Sequence, residues 1–226
     1  MVATTNVRVH ESCSKRHPSV AALGVAGAQQ THKKVAFMSE LRIAVILGST
    51  RPGRNGEAVA KWVIDQAAAR DSASYELVDL AEYSLPFLDE ALPASMGQYA
   101  GAHTKAWARV IGSFDAFVFV TPEYNHSVSG VLKNAIDFLY AEWNDKAAAF
   151  VGYGSVGGAR SIEHLRGVAS ELQIAHVRQQ LNFSLATDFR NYSEFHPAAH
   201  HTAQAQTMFG QLERWAAALK RVRADA

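Results

Sequence analysis

The first sustained apolar pattern begins at Leu41. Ile43-Ala44-Val45-Ile46-Leu47 is a continuous apolar run closed by Gly48, as expected of a strand buried on both faces. Val59, Trp62, Val63 and Ala67 follow at helical spacing, and a second strand is predicted from Tyr75 to Leu80. A long connection containing Leu85-Pro86-Phe87 leads to a helix carrying Trp107, Val110 and Ile111. Ala116-Phe117-Val118-Phe119-Val120 is the third and most apolar strand, and a helix with Val131, Leu132, Ala135, Ile136 and Leu139 follows it. A fourth strand is expected over Ala147–Tyr153 and a short fifth over Ile174–Val177. Ile162, Leu165 and Leu172 mark the helix between them, and Met208, Leu212, Trp215 and Leu219 a final one. Parallel strands need crossover helices. Five strands alternating with five helices therefore predict an α/β domain over residues 38–226: a doubly wound, five-stranded parallel sheet with helices on both faces. Ligands of such sheets bind beyond the carboxyl ends of the strands, where strand order reverses, so the loops after strands one, three and four are the candidate site.

Residues 1–37 look different. They lack a sustained period and are built from small and polar residues, so they are read as a disordered N-terminal extension. A secretory signal and an organelle transit peptide are the alternatives. This segment holds Arg8, Lys15, Arg16, Lys33 and Lys34 against Glu11 alone. The chain's formal charge of +1 thus conceals a body with 17 of the 22 basic and 20 of the 21 acidic residues, net −3. Such a body has no electrostatic reason to seek nucleic acid or an anionic membrane. No apolar run reaches the ~18 residues needed to span a bilayer. The single Cys13 excludes a disulfide framework within the chain. With 48% hydrophobic and 19% charged residues the composition is globular, and a cytoplasmic location is expected.

The first loop, Gly48-Ser49-Thr50-Arg51-Pro52-Gly53-Arg54-Asn55-Gly56, runs from a strand into a helix. Its glycines turn the backbone tightly, Ser49 and Thr50 add hydroxyls, and the helix start adds partial positive charge; Arg51 and Arg54 could complete an anion site. The spacing of Gly48 and Gly53 also begins a P-loop. Arg54, however, stands where its lysine belongs and Asn55 where its hydroxyl belongs. After strand three, Pro122 fixes the backbone so that the N–H groups of Glu123, Tyr124 and Asn125 are expected to face a planar polar ligand, with Tyr124 as an aromatic surface. Glu123 with His126 is the acid–base or metal alternative, but no second ligand set at metal spacing accompanies them. After strand four, Gly152-Tyr153-Gly154-Ser155-Val156-Gly157 contains G-x-G-x-x-G, the basis of a dinucleotide-binding alternative. The next strand, Ala175-His176-Val177-Arg178, lacks the acidic residue of that fingerprint, and the loop is read as a glycine wall beside the ligand. His196, His200 and His201, without a nearby carboxylate or thiolate in sequence, are read as a solvated loop rather than a metal site.

Taken together, Gly48-Ser49-Thr50-Arg51, Pro122-Glu123-Tyr124-Asn125, Leu132-Lys133-Asn134-Ala135-Ile136-Asp137 and Gly154-Ser155-Val156-Gly157-Gly158-Ala159-Arg160 resemble the NADPH-dependent FMN reductase family, over about residues 40–185. The resemblance implies a flavodoxin-like fold, bound FMN, and NADPH or NADH as co-substrate. It implies a reductase passing hydride through the flavin to a small acceptor: a quinone, an azo compound, a metal oxyanion or free flavin. In that family Ser49, Arg51 and the helix start at Asn55-Gly56 would hold the FMN phosphate. Pro122, Glu123, Tyr124 and Asn125 would line the isoalloxazine edge, and Ser155, Val156, Gly157 and Gly158 would border the ring. Many members have a serine where Arg54-Asn55 stands here. No catalytic acid or base is assigned, because hydride transfer is chemistry of the flavin. Arg160 is a candidate for a nicotinamide nucleotide's phosphate. The resemblance further implies a homodimer or homotetramer, with the helix from Gly130 to Tyr140, extended by Trp143, as the expected surface. A flavodoxin-type electron carrier is the other functional class; such carriers resemble strongly acidic proteins, which this body is not.

Overall fold

Strands β1 (Leu41–Leu47), β2 (Ala73–Asp79), β3 (Ala116–Pro122), β4 (Lys146–Gly154) and β5 (Ile174–His176) pair in parallel in the order β2-β1-β3-β4-β5. This is a computed structural model, and it describes residues 40–225; the expectations for residues 1–37 lie outside them. Helices α1 (Gly56–Ala67), α2 (Ala102–Gly112), α3 (Gly130–Asp137), α4 (Ala159–Glu171) and α5 (His200–Ala224) make the crossovers and close the chain. Strand order reverses between β1 and β3, so the switch point lies where their carboxyl ends meet.

Alternation along the central strands explains why both faces are covered. Ile43, Val45, Leu47, Val118, Val120, Ala149 and Val151 pack with Val59 and Val63 of α1 and Met208, Phe209 and Leu212 of α5. Ala44, Ile46, Phe117, Phe119 and Phe150 point the other way, against Trp107 of α2, Ile136 of α3 and Leu165 of α4. On β3 the phenylalanines Phe117 and Phe119 thus face one layer and the valines Val118 and Val120 the other.

Three expectations need correction. The fifth strand does not end the sheet: after a break, β6 (Leu181–Ser184) also pairs in parallel with β4 along Val151–Gly154. Arg166 of α4 fills the break, donating to Val177 O at 3.0 Å, Arg178 O at 3.3 Å and the Gln180 side chain at 2.7 Å. A hairpin then follows, β7 (Phe189–Arg190) with β8 (Glu194–Phe195), which no long period in the sequence announced. Trp143 is not part of a surface patch, and α3 stops at Asp137. Trp143 is fully buried, its ring 4.8 Å from Phe117, and its indole N–H donates to Ile136 O at 3.2 Å. No helix among the described residues is long and apolar enough to cross a membrane.

Candidate active site at the β1–β3 switch point

The loop after β1 enters α1 at Gly56, and this glycine is required by close approach. A Cβ there would lie 2.5 Å from the Tyr153 hydroxyl and 2.7 Å from Leu47 Cδ1. The start of α1 is therefore pressed against the end of β4. Ser49 is fully buried, with its Oγ 3.2 Å from the Tyr124 hydroxyl and accepting from Arg51 N at 3.4 Å. Asn55 is the N-cap of α1, yet its side chain makes no capping bond, so the first-turn amides stay available to an anion.

The two arginines of this loop have different work. Arg54 is nearly buried and spends its guanidinium inside the protein. It pairs with Asp79 at the end of β2 at 2.5 and 2.9 Å, with Glu57 at 3.0 Å, and donates to Ser49 O. Arg51 is exposed at the mouth of the cleft, with no side-chain ion pair among the described residues. It is the guanidinium open to a ligand.

The β3 loop departs from its expected role. The Glu123 amide donates to Tyr153 O at 3.1 Å and the Tyr124 amide to Ser127 O at 3.0 Å, so neither faces a ligand. Asn125 and His126 turn the chain in the left-handed region, at φ 49° and 69°. The Glu123 carboxylate reaches α4, accepting from Arg160 N at 3.1 Å and Arg160 Nε at 2.6 Å. Burial pushes its pKa up, but these bonds outweigh burial and hold it below the usual glutamate value. Arg160 is consumed by this pair and by His126 Nε2 at 2.8 Å, rather than presented to a nucleotide. No cluster of metal-ligating side chains occurs among the described residues.

The same carboxylate decides against the dinucleotide alternative. A pyrophosphate on α4 would need its N-terminal amides, and Glu123 already occupies that position. Gly158, at φ 70°, packs so tightly that a Cβ would lie 2.6 Å from Tyr153 N, leaving no room over the strand end. Ser155 and Val156 are exposed at the surface just before Gly158.

Arg51, Gly53, Arg54, Asn55, Pro122, Glu123, Tyr124, Tyr153 and Gly154 surround one cleft of about 290 Å³. A larger cavity of about 500 Å³ lies on the other side of the β1 loop, lined by Thr50, Leu80, Tyr83, Leu85, Pro86 and Asn134. The start of α3 at Gly130-Val131 borders it, but Ser129 already caps that helix by accepting from Leu132 N at 3.3 Å, and no guanidinium lines it, so the smaller cleft is the candidate anion site. Asn134 folds the wall of the larger one, donating to Pro86 O at 2.7 Å and accepting from Leu88 N at 3.0 Å. The histidines belong to neither cavity. His201 is buried beside Asp188 at 3.0 Å, a carboxylate that the sequence placed 13 residues away and the fold brings into contact.

A model for NADPH-dependent FMN reductase matches residues 41–188. The chain belongs to the NADPH-dependent FMN reductase family. It is 35% identical to an NAD(P)H-dependent FMN reductase of Schizosaccharomyces pombe over 178 residues, 76% of this chain and 89% of the relative. It is 36% identical to the NAD(P)H-dependent FMN reductase ntnL of a Nectria species over 156 residues, 65% of this chain and 78% of that one. The flavoenzyme NAD(P)H:(acceptor) oxidoreductase FerB of Paracoccus denitrificans shares the fold, with a TM-score of 0.61 at 22% identity over 78% of this chain and 97% of its own. As a member of this family the chain is an oxidoreductase, with FMN as cofactor and NAD(P)H as reductant, rather than a flavodoxin-type carrier.

The residues present fit FMN. The Tyr153 hydroxyl is buried in the cradle without a hydrogen-bond partner; Ser49 is near enough to be felt by the phenol but outside bonding geometry. Burial, then the neighbouring Tyr124, pushes the phenol above its usual pKa, so it stays a donor at neutral pH. An unpaired buried donor beside free helix-start amides and Arg51 matches a phosphate monoester. Sequence reasoning missed Tyr153. Its signal was strand alternation, which places it on the α1 face with Ala149 and Val151.

Proposed function

We propose that residues 38–226 are a reductase domain that takes hydride from NADPH or NADH onto bound FMN and passes it to a small acceptor, with a quinone favoured. One observation carries this reading: the start of α1, Arg51 and the orphaned Tyr153 hydroxyl converge on the same cleft as the rigid Pro122–Tyr124 wall. Bound FMN would supply the hydride chemistry. Ser49, Arg51 and the amides at Asn55-Gly56 hold the phosphate, with Tyr153 as a further donor. Pro122, Glu123, Tyr124 and Asn125 line the ring edge, Asn125 alone offering its amide there, and Ser155, Val156, Gly157 and Gly158 border the ring. Glu123 acts as a brace between the β3 loop and α4. No side chain is required to exchange a proton with the nicotinamide.

A cytoplasmic location and a homodimer or homotetramer belong to the same reading. Exposed Phe87 and Val131, which line the larger cavity, and exposed Leu88, Leu92 and Met96 in the segment that follows Phe87 support association. The test is spectroscopic. The purified protein should show flavin absorption that NADPH bleaches without oxygen, and a benzoquinone should restore it within one turnover. A colourless protein that ignores added FMN overturns the flavin assignment, and a bleached flavin that no quinone reoxidises overturns the acceptor.

A further inference from the structure

Beyond the family-matched residues 41–188, the β7–β8 hairpin closes one end of the flavin cleft. Leu185, Tyr192 and Ser193 line that cleft together with Arg51, Gly53 and Asn55. Asparagine at an N-cap ordinarily bonds its own helix. Asn55 instead sends its Nδ2 to Tyr192 O, 2.8 Å away and 137 residues on, which fixes the hairpin tip against the start of α1. The tip adopts a conformation that bulky residues rarely take, with Asn191 at φ 50° and Tyr192 at φ 59°. Tyr192 is 70% exposed, so its own burial does not enforce that conformation.

The base of the hairpin is rigid. Phe195 packs edge-on against Trp62 at 6.3 Å and Phe183 at 4.9 Å. Buried Asp188 accepts from Ser184 N at 2.9 Å, Thr187 Oγ1 at 3.0 Å and Ala198 N at 3.2 Å, and pairs with His201 of α5. The tip is thus held over the cleft from both ends.

We propose that the 189–195 hairpin is the phosphate-end wall of the cleft, making it accept a flavin mononucleotide and reject a flavin whose phosphate carries a second nucleotide. The inference rests on the flavin reading above. A phosphate at the start of α1 lies beside Asn55, and the hairpin backbone bonded to Asn55 occupies the direction in which an adenosine phosphate would continue. Selectivity of this kind comes from exclusion rather than from an added contact.

The test measures dissociation constants of FMN and FAD by flavin fluorescence quenching on apo-protein, for the native chain, Asn55→Ala and Tyr192→Gly. The native chain should bind FMN at least a hundredfold more tightly than FAD. That ratio should fall at least tenfold in each variant, even where Asn55→Ala weakens both flavins. A ratio unchanged in both variants overturns the proposal, whereas a native chain that binds neither flavin overturns the flavin reading itself. Hydrogen exchange on the native chain gives a readout that no folding defect confuses. The amides of residues 190–194 should exchange at least tenfold more slowly with FMN present, and no change there also overturns the proposal.

Discussion

Two arginines three residues apart show how little residue type decides by itself. Arg51 is open to the cleft, while Arg54 is locked to Asp79, Glu57 and the Ser49 carbonyl. A phosphate monoester carries close to two negative charges, and a charge-assisted bond to it is worth about 1.5–3 kcal/mol. Arg51→Ala should therefore weaken FMN binding about ten- to a hundredfold, by titration of the apo-protein, with the melting temperature unchanged. Arg54→Ala should behave in the opposite way. It strands the Asp79 carboxylate and should cost about 1–3 kcal/mol of stability in urea unfolding. An Arg51→Ala protein with native affinity would mean that the phosphate lies elsewhere.

At the scale of elements, α5 is tied to the β2 edge of the sheet through one carboxylate. Glu213, nearly buried, accepts from Arg70 at 2.5 and 2.7 Å, Ser72 at 2.6 Å and Tyr75 at 2.9 Å. Burial raises its pKa, but these four bonds outweigh burial and leave it below the ordinary glutamate value. The stability it contributes is therefore complete above the unfolded value near 4.5 and is lost as pH falls through the lower folded value. Glu213→Gln should cost about 3–5 kcal/mol at pH 7, because it leaves Arg70 without its buried partner. The gap between variant and native protein should shrink at pH 3; equal gaps at pH 7 and pH 3 in urea unfolding would contradict this. Lys146, at the start of β4, acts in the same direction but in the alkaline range and through its uncharged form. Burial, then repulsion from Arg223, lowers its pKa to about 8, and it donates to Ile111 O at 3.0 Å. Its neutral form favours the fold, so native stability should rise between pH 8 and 10 more steeply than in Lys146→Gln.

For the molecule as a whole, every residue placed in or around the cleft falls between Ser49 and Ser193, so a chain beginning at Met38 should keep FMN affinity and reductase activity. Loss of flavin on that truncation would give the first 37 residues a part in the site. The sheet and the three site loops were legible in the sequence because their signals are local. Runs such as Ile43–Leu47 and Phe117–Val120 are apolar enough to be strands in any context, and glycine and proline mark where they stop. What each loop residue does was not legible. Hydrogen-bond satisfaction is an accounting over the whole fold, and its partners here are Arg54 with Asp79, Glu123 with Arg160, Asp188 with His201 and Asn55 with Tyr192. The order of apolar runs and loop glycines along the chain by itself determined an α/β sheet and the loops that meet at its switch point. Only the tertiary structure decided which amides and guanidinium groups remain free for a ligand, because that depends on groups far apart in the chain meeting in space.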